Sequence, residues 1–411
     1  MAGDESRGVT VPIGVGMAGT FDVENYGDLL FPLIAQAALA RRDPRLKVRP
    51  FSLNSRDAAS WPFAVRATDE LPEAMSSLSA LLVGGGQIVR FDKGYPVPVA
   101  PHVAVPIDYW LVPAVLAATA GRPVIWNAVG AWTESPEAPW FEPVVRAVFS
   151  ASRFIGVRDV ASRDHLARMA PEADIRLLPD TAFSLTRLWP LEQESADYVG
   201  WRRTIGIRKP HVVVQADSEM AGYQPLLESV LSSMPGTVAV LVPICWCHGD
   251  RAESFPAPSG GMVRSPAWLG PRLLAEVLGR AELVVASSLH ACITGLSYGV
   301  PVARTLAGNA GDRKFELLSE FEGVARLDDA GALARVLARG RGIESRARDH
   351  ADRLERYWDQ VAEIAVRPCA RPDDGALATR LSRMQRACAE VERLEAVPEP
   401  AVLEEIRAGS T

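Results

Sequence analysis

The chain has 411 residues, of which 48% are hydrophobic and 23% charged, with a formal net charge of −6. That length accommodates two or three domains, and that composition excludes disorder of the whole chain. The acidic balance removes long-range attraction to nucleic acid or to an anionic membrane, leaving only local basic pockets.

Five cysteines, Cys245, Cys247, Cys292, Cys369 and Cys388, are odd in number and irregular in spacing. They form no disulfide framework by pattern, and a reducing compartment is expected. Residues 1–10 are polar and lack the apolar core of a secretion signal. The apolar stretch Trp110–Trp126 is interrupted by Arg122 and two prolines and is too short for a membrane span. A soluble cytoplasmic protein is therefore expected, and the excess of Arg and Ala over Lys suggests a GC-rich bacterial genome.

In chain order, Val9–Val15 reads as a buried strand, followed by a loop Gly16–Asp28 and a helix Leu29–Arg41. Strands follow at Lys47–Ser52 and Leu78–Val83, the latter running into Gly84, Gly85 and Gly86. A helix Ile107–Ala120 ends at Gly121, and strands are expected at Val124–Val129, Phe154–Val157 and Ile175–Leu178, with a helix Asp159–Met169. Alternating strands and helices predict a parallel sheet with right-handed crossovers. Leu185–Gly206 breaks the alternation and marks a domain boundary. A second series follows, with strands Val212–Ala216, Val238–Val242, Leu283–Ala286 and Val300–Arg304 and helices near 222–233, 269–280 and 290–298.

The fold class is thus α/β, with two Rossmann-like domains, 8–190 and 205–330, facing a cleft, and a C-terminal helical segment, 331–411. The charged patterns Gly331–Ala365 and Gly375–Arg407 predict helices that pack on the domains, cross back over the cleft, or pair two chains into a homo-oligomer.

Polar residues at strand ends are the candidates for chemistry. The loop Gly19–Asp28 contains Asn25, Gly27 and Asp28 just before a helix, a place suited to anions, although it is neither a Walker loop nor GxGxxG. Asp28 is read either as the helix cap, with Asn25 and Gly27 shaping the turn, or as a site residue. The glycine run either lets backbone approach a ligand or turns the chain. Arg158, at a strand's carboxyl end, offers its guanidinium to a carboxylate or phosphate, or pairs with Asp180. Ser287-Ser288-Leu289-His290 opens a helix after a buried strand, and His290 has the chemistry of a general acid or a structural role. Cys245-Trp246-Cys247-His248 has the wrong spacing for a zinc pair and is read as a cleft-facing loop, without metal.

Taken in order, these pieces resemble the polysaccharide pyruvyl transferase family over Val11–Phe321. The resemblance is carried by Asn25-Tyr26-Gly27-Asp28, Gly84–Gly86, Asn127-Ala128-Val129-Gly130, Val157-Arg158-Asp159 with Ser162, Pro179-Asp180-Thr181-Ala182-Phe183, Ser288-Leu289-His290, Gly299-Val300-Pro301 and Lys314. It implies a glycosyltransferase-B-like fold and transfer of a pyruvyl group from phosphoenolpyruvate onto two hydroxyls of a sugar or glycan precursor, forming a cyclic ketal. It implies His290 as the catalytic acid and Arg158 against the donor's acidic groups. The donor is expected near Asn25, Gly27, Asp28, Gly85, Gly86, Ser288, Leu289, Arg313 and Lys314, with no cofactor and no metal.

In the family an arginine two residues before the histidine also holds the donor, and Ser288 stands there in this chain. Arg304, Arg313 or Lys314 then become the replacement cation, the last two following the glycine-rich segment Gly308–Asp312. Phe91, Tyr95, Tyr109, Trp110, Trp132 and Trp140 are candidates to stack on the acceptor sugar or to pack the core. The competing readings are a nucleotide-sugar glycosyltransferase of the same fold and a catalytically silent relative that only binds ligand.

Overall fold

Val124–Val129 and Leu283–Ala286 are strands buried along their whole length, as expected of strands covered on both faces. The computed structural model describes residues 11–90, 106–132, 141–252, 262–265, 267–305 and 313–367. Within them lie a 7-stranded and a 6-stranded sheet, and every strand pairing in both is parallel.

The first sheet comprises β1 (Ile13–Ala18), β2 (Leu46–Ser52), β3 (Arg66–Ala67), β4 (Leu78–Val83), β5 (Val124–Val129), β6 (Phe154–Val157) and β7 (Ile175–Leu177), in the order β3-β2-β1-β4-β5-β6-β7. The second comprises β8 (His211–Gln215), β9 (Val238–Val242), β10 (Met262–Arg264), β11 (Leu283–Ala286), β12 (Val302–Arg304) and β13 (Val324–Arg326), in the order β10-β9-β8-β11-β12-β13. Each half therefore has Rossmann-like strand order, reversing beside its first strand, which leaves a crevice at the carboxyl ends. The fold is glycosyltransferase-B-like.

Three local expectations need correction. The first strand begins at Ile13 and runs on to Ala18, because Gly16, Met17 and Ala18 pair with both β2 and β4. The first helix starts at Tyr26, not Leu29, and Asn25, not Asp28, is its N-cap, its side chain accepting from the Gly27 N–H at 3.2 Å. Asp28 is thereby freed from capping and lies in the first turn. The 107–120 region divides into a 3-10 turn Pro106–Tyr109 and a helix Leu111–Thr119.

One apolar cluster joins the two halves. It contains Leu30 and Ile34 of the first helix, Leu274 and Ile293 of the second half, and Trp358 of the late helix Ser345–Ala365. That helix returns to the first half, where Arg42 pairs with Glu355 at 2.9 Å and with Asp359 at 2.7 Å. Tyr357 donates from its hydroxyl to Asn127 Oδ1 at 2.8 Å, at the end of β5. The expected tail pattern breaks at Gly340 (φ 65°), between helices Ala330–Arg339 and Ser345–Ala365. The further helix expected at Gly375–Arg407 lies outside the described residues. Among the described residues no helix is long and apolar enough to cross a membrane.

Candidate functional site

The chain after β1 meets the chain after β9 at the Asn25–Cys245 bridge, and the chain after β7 meets that after β11 where Asp180 approaches His290, so the polar residues picked from the sequence sit on the loops and first helical turns that follow the strands. Glycines let the backbone come close here. Gly84, Gly85 and Gly86 all have positive φ (55°, 142° and 73°), and a Cβ on Gly85 would meet Phe31 Cδ1 at 2.4 Å. Asn127 holds this turn by donating from Nδ2 to the Gly84 carbonyl at 2.9 Å, while receiving the Tyr357 hydroxyl.

Arg158, Asp180 and His290 form a chain across the two halves. Asp180 Oδ2 lies 3.2 Å from Arg158 Nη1 and 3.4 Å from His290 Nε2. Arg158 and Asp180 are buried, with side-chain exposures of 2% and 0%. Burial alone would raise the Asp180 carboxyl, but the neighbouring His290 ring, the Arg158 guanidinium and the Ala182 N–H outweigh it and hold it at about 2. Asp180 is thus ionised at neutral pH and presents one negative charge to both partners. Of the two readings of Arg158, the ion pair with Asp180 is the one seen, and it is made beside His290. A cavity of about 290 Å³ is lined by Arg158 and Asp180 together with Glu316, Glu320 and His350.

His290 is locked by packing. It lies in the first turn of helix Leu289–Ser297, with Phe31 edge-on to its ring (centroids 5.3 Å apart, planes at 84°). A Cβ on Gly27 would fall 2.0 Å from His290 Nδ1. Gly27 is therefore needed for the helix start to touch the imidazole, which its position in the motif did not reveal. Gly27→Ala is expected to displace the ring, lower activity at least about tenfold and destabilise the fold by about 1–3 kcal/mol. Paired urea melts and rate measurements check this, and an alanine variant with wild-type rate would show that the contact is dispensable.

Behind the ring, Thr294 donates to the His290 carbonyl at 2.7 Å and receives the Tyr26 hydroxyl at 2.8 Å. Ser288 caps this helix, its Oγ accepting from the Ala291 N–H at 3.5 Å, and the Ser287 and Ser288 N–H groups both donate to Gln215 Oε1. Leu289 is buried at 4% exposure and packs in the core that joins the halves.

The Cys245–His248 turn clasps the Asn25 loop. The Tyr26 N–H donates to the Ile244 carbonyl, the Cys247 N–H to the Glu24 carbonyl, and Cys245 Sγ lies 3.7 Å from Asn25 Oδ1. Burial pushes the Cys247 thiol up to about 12, and the Cys245 thiol is raised as well, so neither is a thiolate at neutral pH. Among the described residues no cluster of three His, Cys, Asp or Glu could hold a metal ion.

Of the candidate replacement cations, Lys314 is largely buried and interacts electrostatically with Arg158 and with the Cys245 turn. Burial lowers its ammonium pKa, and its charge is felt by Cys245, Cys292, Arg158 and Asp217. Arg304 and Lys314 both lie over the Phe315 ring, at 5.2 and 5.0 Å from its centroid. The side chain of Arg313 and the segment 306–312 lie outside the described residues. Of the aromatics, Tyr109 and Trp110 are core residues at 2% and 0% exposure. Trp132 sits beneath Arg90 at 4.9 Å, and Phe91, Tyr95 and Trp140 lie outside the described residues.

The family model for polysaccharide pyruvyl transferase matches residues 25–305. The chain belongs to that family. It is a transferase, and the family implies a pyruvyl donor and a glycan acceptor. No curated protein matches the sequence significantly. Among solved structures, the UDP-GlcNAc 2-epimerase of Methanocaldococcus jannaschii is similar with a TM-score of 0.55 and 10% identity, over 86% of this chain and 100% of that one. The S. aureus MnaA–UDP co-structure is similar with a TM-score of 0.50 and 9% identity, over 88% and 99%. At such identities the likeness is one of fold, two Rossmann-like halves about a cleft. In this member of the family, Ser288 is occupied as a helix cap.

Proposed function

We propose that this protein transfers a pyruvyl group from phosphoenolpyruvate to two hydroxyls of a sugar or glycan precursor in the cytoplasm, with His290 as general acid and Arg158 as a donor contact. The observation that carries this reading is the Asp180 carboxylate joining Arg158 of one half to His290 of the other. A cation for the donor and a proton donor for its methylene carbon are thereby held side by side, on rigid strand and helix ends.

The chemistry uses what the cleft contains. Protonation of the donor's methylene by His290 makes C2 electrophilic, and a sugar hydroxyl attacks it. Phosphate departs, and a second hydroxyl closes the ketal. Arg158 and Lys314 supply positive charge for the carboxylate and phosphate, and burial strengthens those interactions by excluding water. Lys314 takes the place of the family arginine that Ser288 lacks.

The expected result is selective stabilisation by the donor. Phosphoenolpyruvate at about 100 times its Kd should add about 2.7 kcal/mol to the unfolding free energy, read as a rise in thermal midpoint. Stabilisation by UDP-sugars in its place would point to a glycosyltransferase, and stabilisation by neither to a silent relative.

A further inference from the structure

Asp28 is a carboxylate in the cleft that donor binding leaves unexplained. It follows Gly27 in the first turn of helix Tyr26–Arg42, next to the residue that touches the His290 ring. On the other side it faces the glycine run, where a Cβ on Gly86 would lie 3.0 Å from its Oδ1. It is half-buried, and among the described residues it makes neither a hydrogen bond nor an ion pair.

The other aspartates of this region are committed. Asp22 accepts from Ser52 and Asn54, Asp159 from the Ser162 N–H, Asp217 from Ser287, and Asp250 from Gln215 and two backbone amides. Asp180 holds Arg158 and His290. Phosphoenolpyruvate carries a phosphate and a carboxylate, so an unpaired carboxylate is poorly suited to hold it. It is well suited to a hydroxyl.

We propose that Asp28 is the base on the acceptor side: its carboxylate takes the proton of the attacking sugar hydroxyl as that oxygen bonds to C2 of the donor. This rests on the pyruvyl-transfer reading and moves Asp28 from the donor's contacts to the acceptor's. In the first stage the C2–C3 π pair takes the His290 proton to form a methyl group. The hydroxyl oxygen forms the bond to C2, and its proton passes to Asp28. In the second stage the bond from C2 to the phosphate oxygen breaks, its electron pair leaving with phosphate, and the second hydroxyl bonds to C2. Of the two hydroxyl protons, one replaces the proton given to carbon and the other leaves with phosphate.

The local charges suit this role. Burial pushes the Asp28 carboxyl up to about 7, Arg158 opposes the rise, and Asp180 and Asp22 add to it. Cys245 and Cys247 also face its charge, both as neutral thiols. A base poised near the working pH both accepts and releases a proton readily.

The test is Asp28→Asn in the full chain. Phosphoenolpyruvate affinity is measured by calorimetry at pH 8, and phosphate release is measured with a panel of simple glycosides and nucleotide sugars as acceptors. The expected signature is opposed. Donor binding becomes about three- to tenfold tighter with the negative charge gone, whereas turnover falls about 100-fold or more. The acid limb of the kcat/KM profile, centred near 7, disappears. The thermal midpoint at pH 8 should not fall, which separates the effect from misfolding. Weaker donor binding would make Asp28 a donor contact and overturn the proposal, as would unchanged turnover or a retained acid limb. If the unaltered chain neither binds phosphoenolpyruvate nor releases phosphate, the pyruvyl-transfer reading itself fails; if it does both and the Asn variant matches it, only the Asp28 role fails.

Discussion

His290→Ala is expected to lower ketal formation by about 10²–10⁴-fold while phosphoenolpyruvate still binds. The split follows from where the groups lie. The imidazole is held between Gly27 and Phe31, and Asp180 Oδ2 lies 3.4 Å from Nε2, whereas the cations proposed for the donor are Arg158 and Lys314. Removing the ring removes the proton donor and leaves the cations. Calorimetry with the donor and a phosphate-release assay read the two effects separately. An alanine variant that still makes ketal would remove His290 from the mechanism, and one that loses donor binding would make it a binding residue.

Asp180→Asn is expected to damage both stability and rate. Arg158 and Asp180 are buried together, so deleting that charge removes the nearer of the two carboxylates on the Arg158 guanidinium and leaves it only Asp159, 3.6 Å from Nε, at a cost of about 2–4 kcal/mol. The same substitution removes the negative charge that links Arg158 to the His290 ring, and activity should fall at least tenfold among the molecules that remain folded.

The pH dependence identifies the origin of the stability loss. The folded carboxyl is held at about 2, below its ordinary value of 3.8. Its stabilisation is therefore fully present above about pH 4 and is lost as pH falls toward 2, a change of about 2 kcal/mol. Urea unfolding of the two proteins should show their stability difference narrowing by that amount over this window. A difference independent of pH would mean that Asp180 acts through shape and not charge.

The fold was legible wherever burial leaves a local signature. Val124–Val129 and Leu283–Ala286 are apolar at nearly every position because helices cover both faces of their sheets, and their ends were placed correctly. The edge strands β3, β10 and β13 were not recognised. Each spans only two or three residues, such as Arg66–Ala67, and is set by the neighbour it pairs with and not by a pattern of its own. The helix start was misplaced by three residues because Asn25 and Asp28 are both good N-cap types, and only the backbone around Gly27 chooses between them.

The sequence alone determined the two parallel-sheet halves, the family, and the junctions at which Arg158 and His290 stand. These are consequences of short-range order: apolar runs become strands, and polar residues directly after them fall at the carboxyl edge. Only the tertiary structure decided that Asp180 reaches His290 across 110 positions of chain while holding Arg158, that Gly27 is glycine because an imidazole occupies the space of its Cβ, and that Asp28 makes no hydrogen bond or ion pair among the described residues. Such contacts join residues remote in the chain through the packing of two sheets and a returning helix, and no local pattern encodes which side chains that packing brings together.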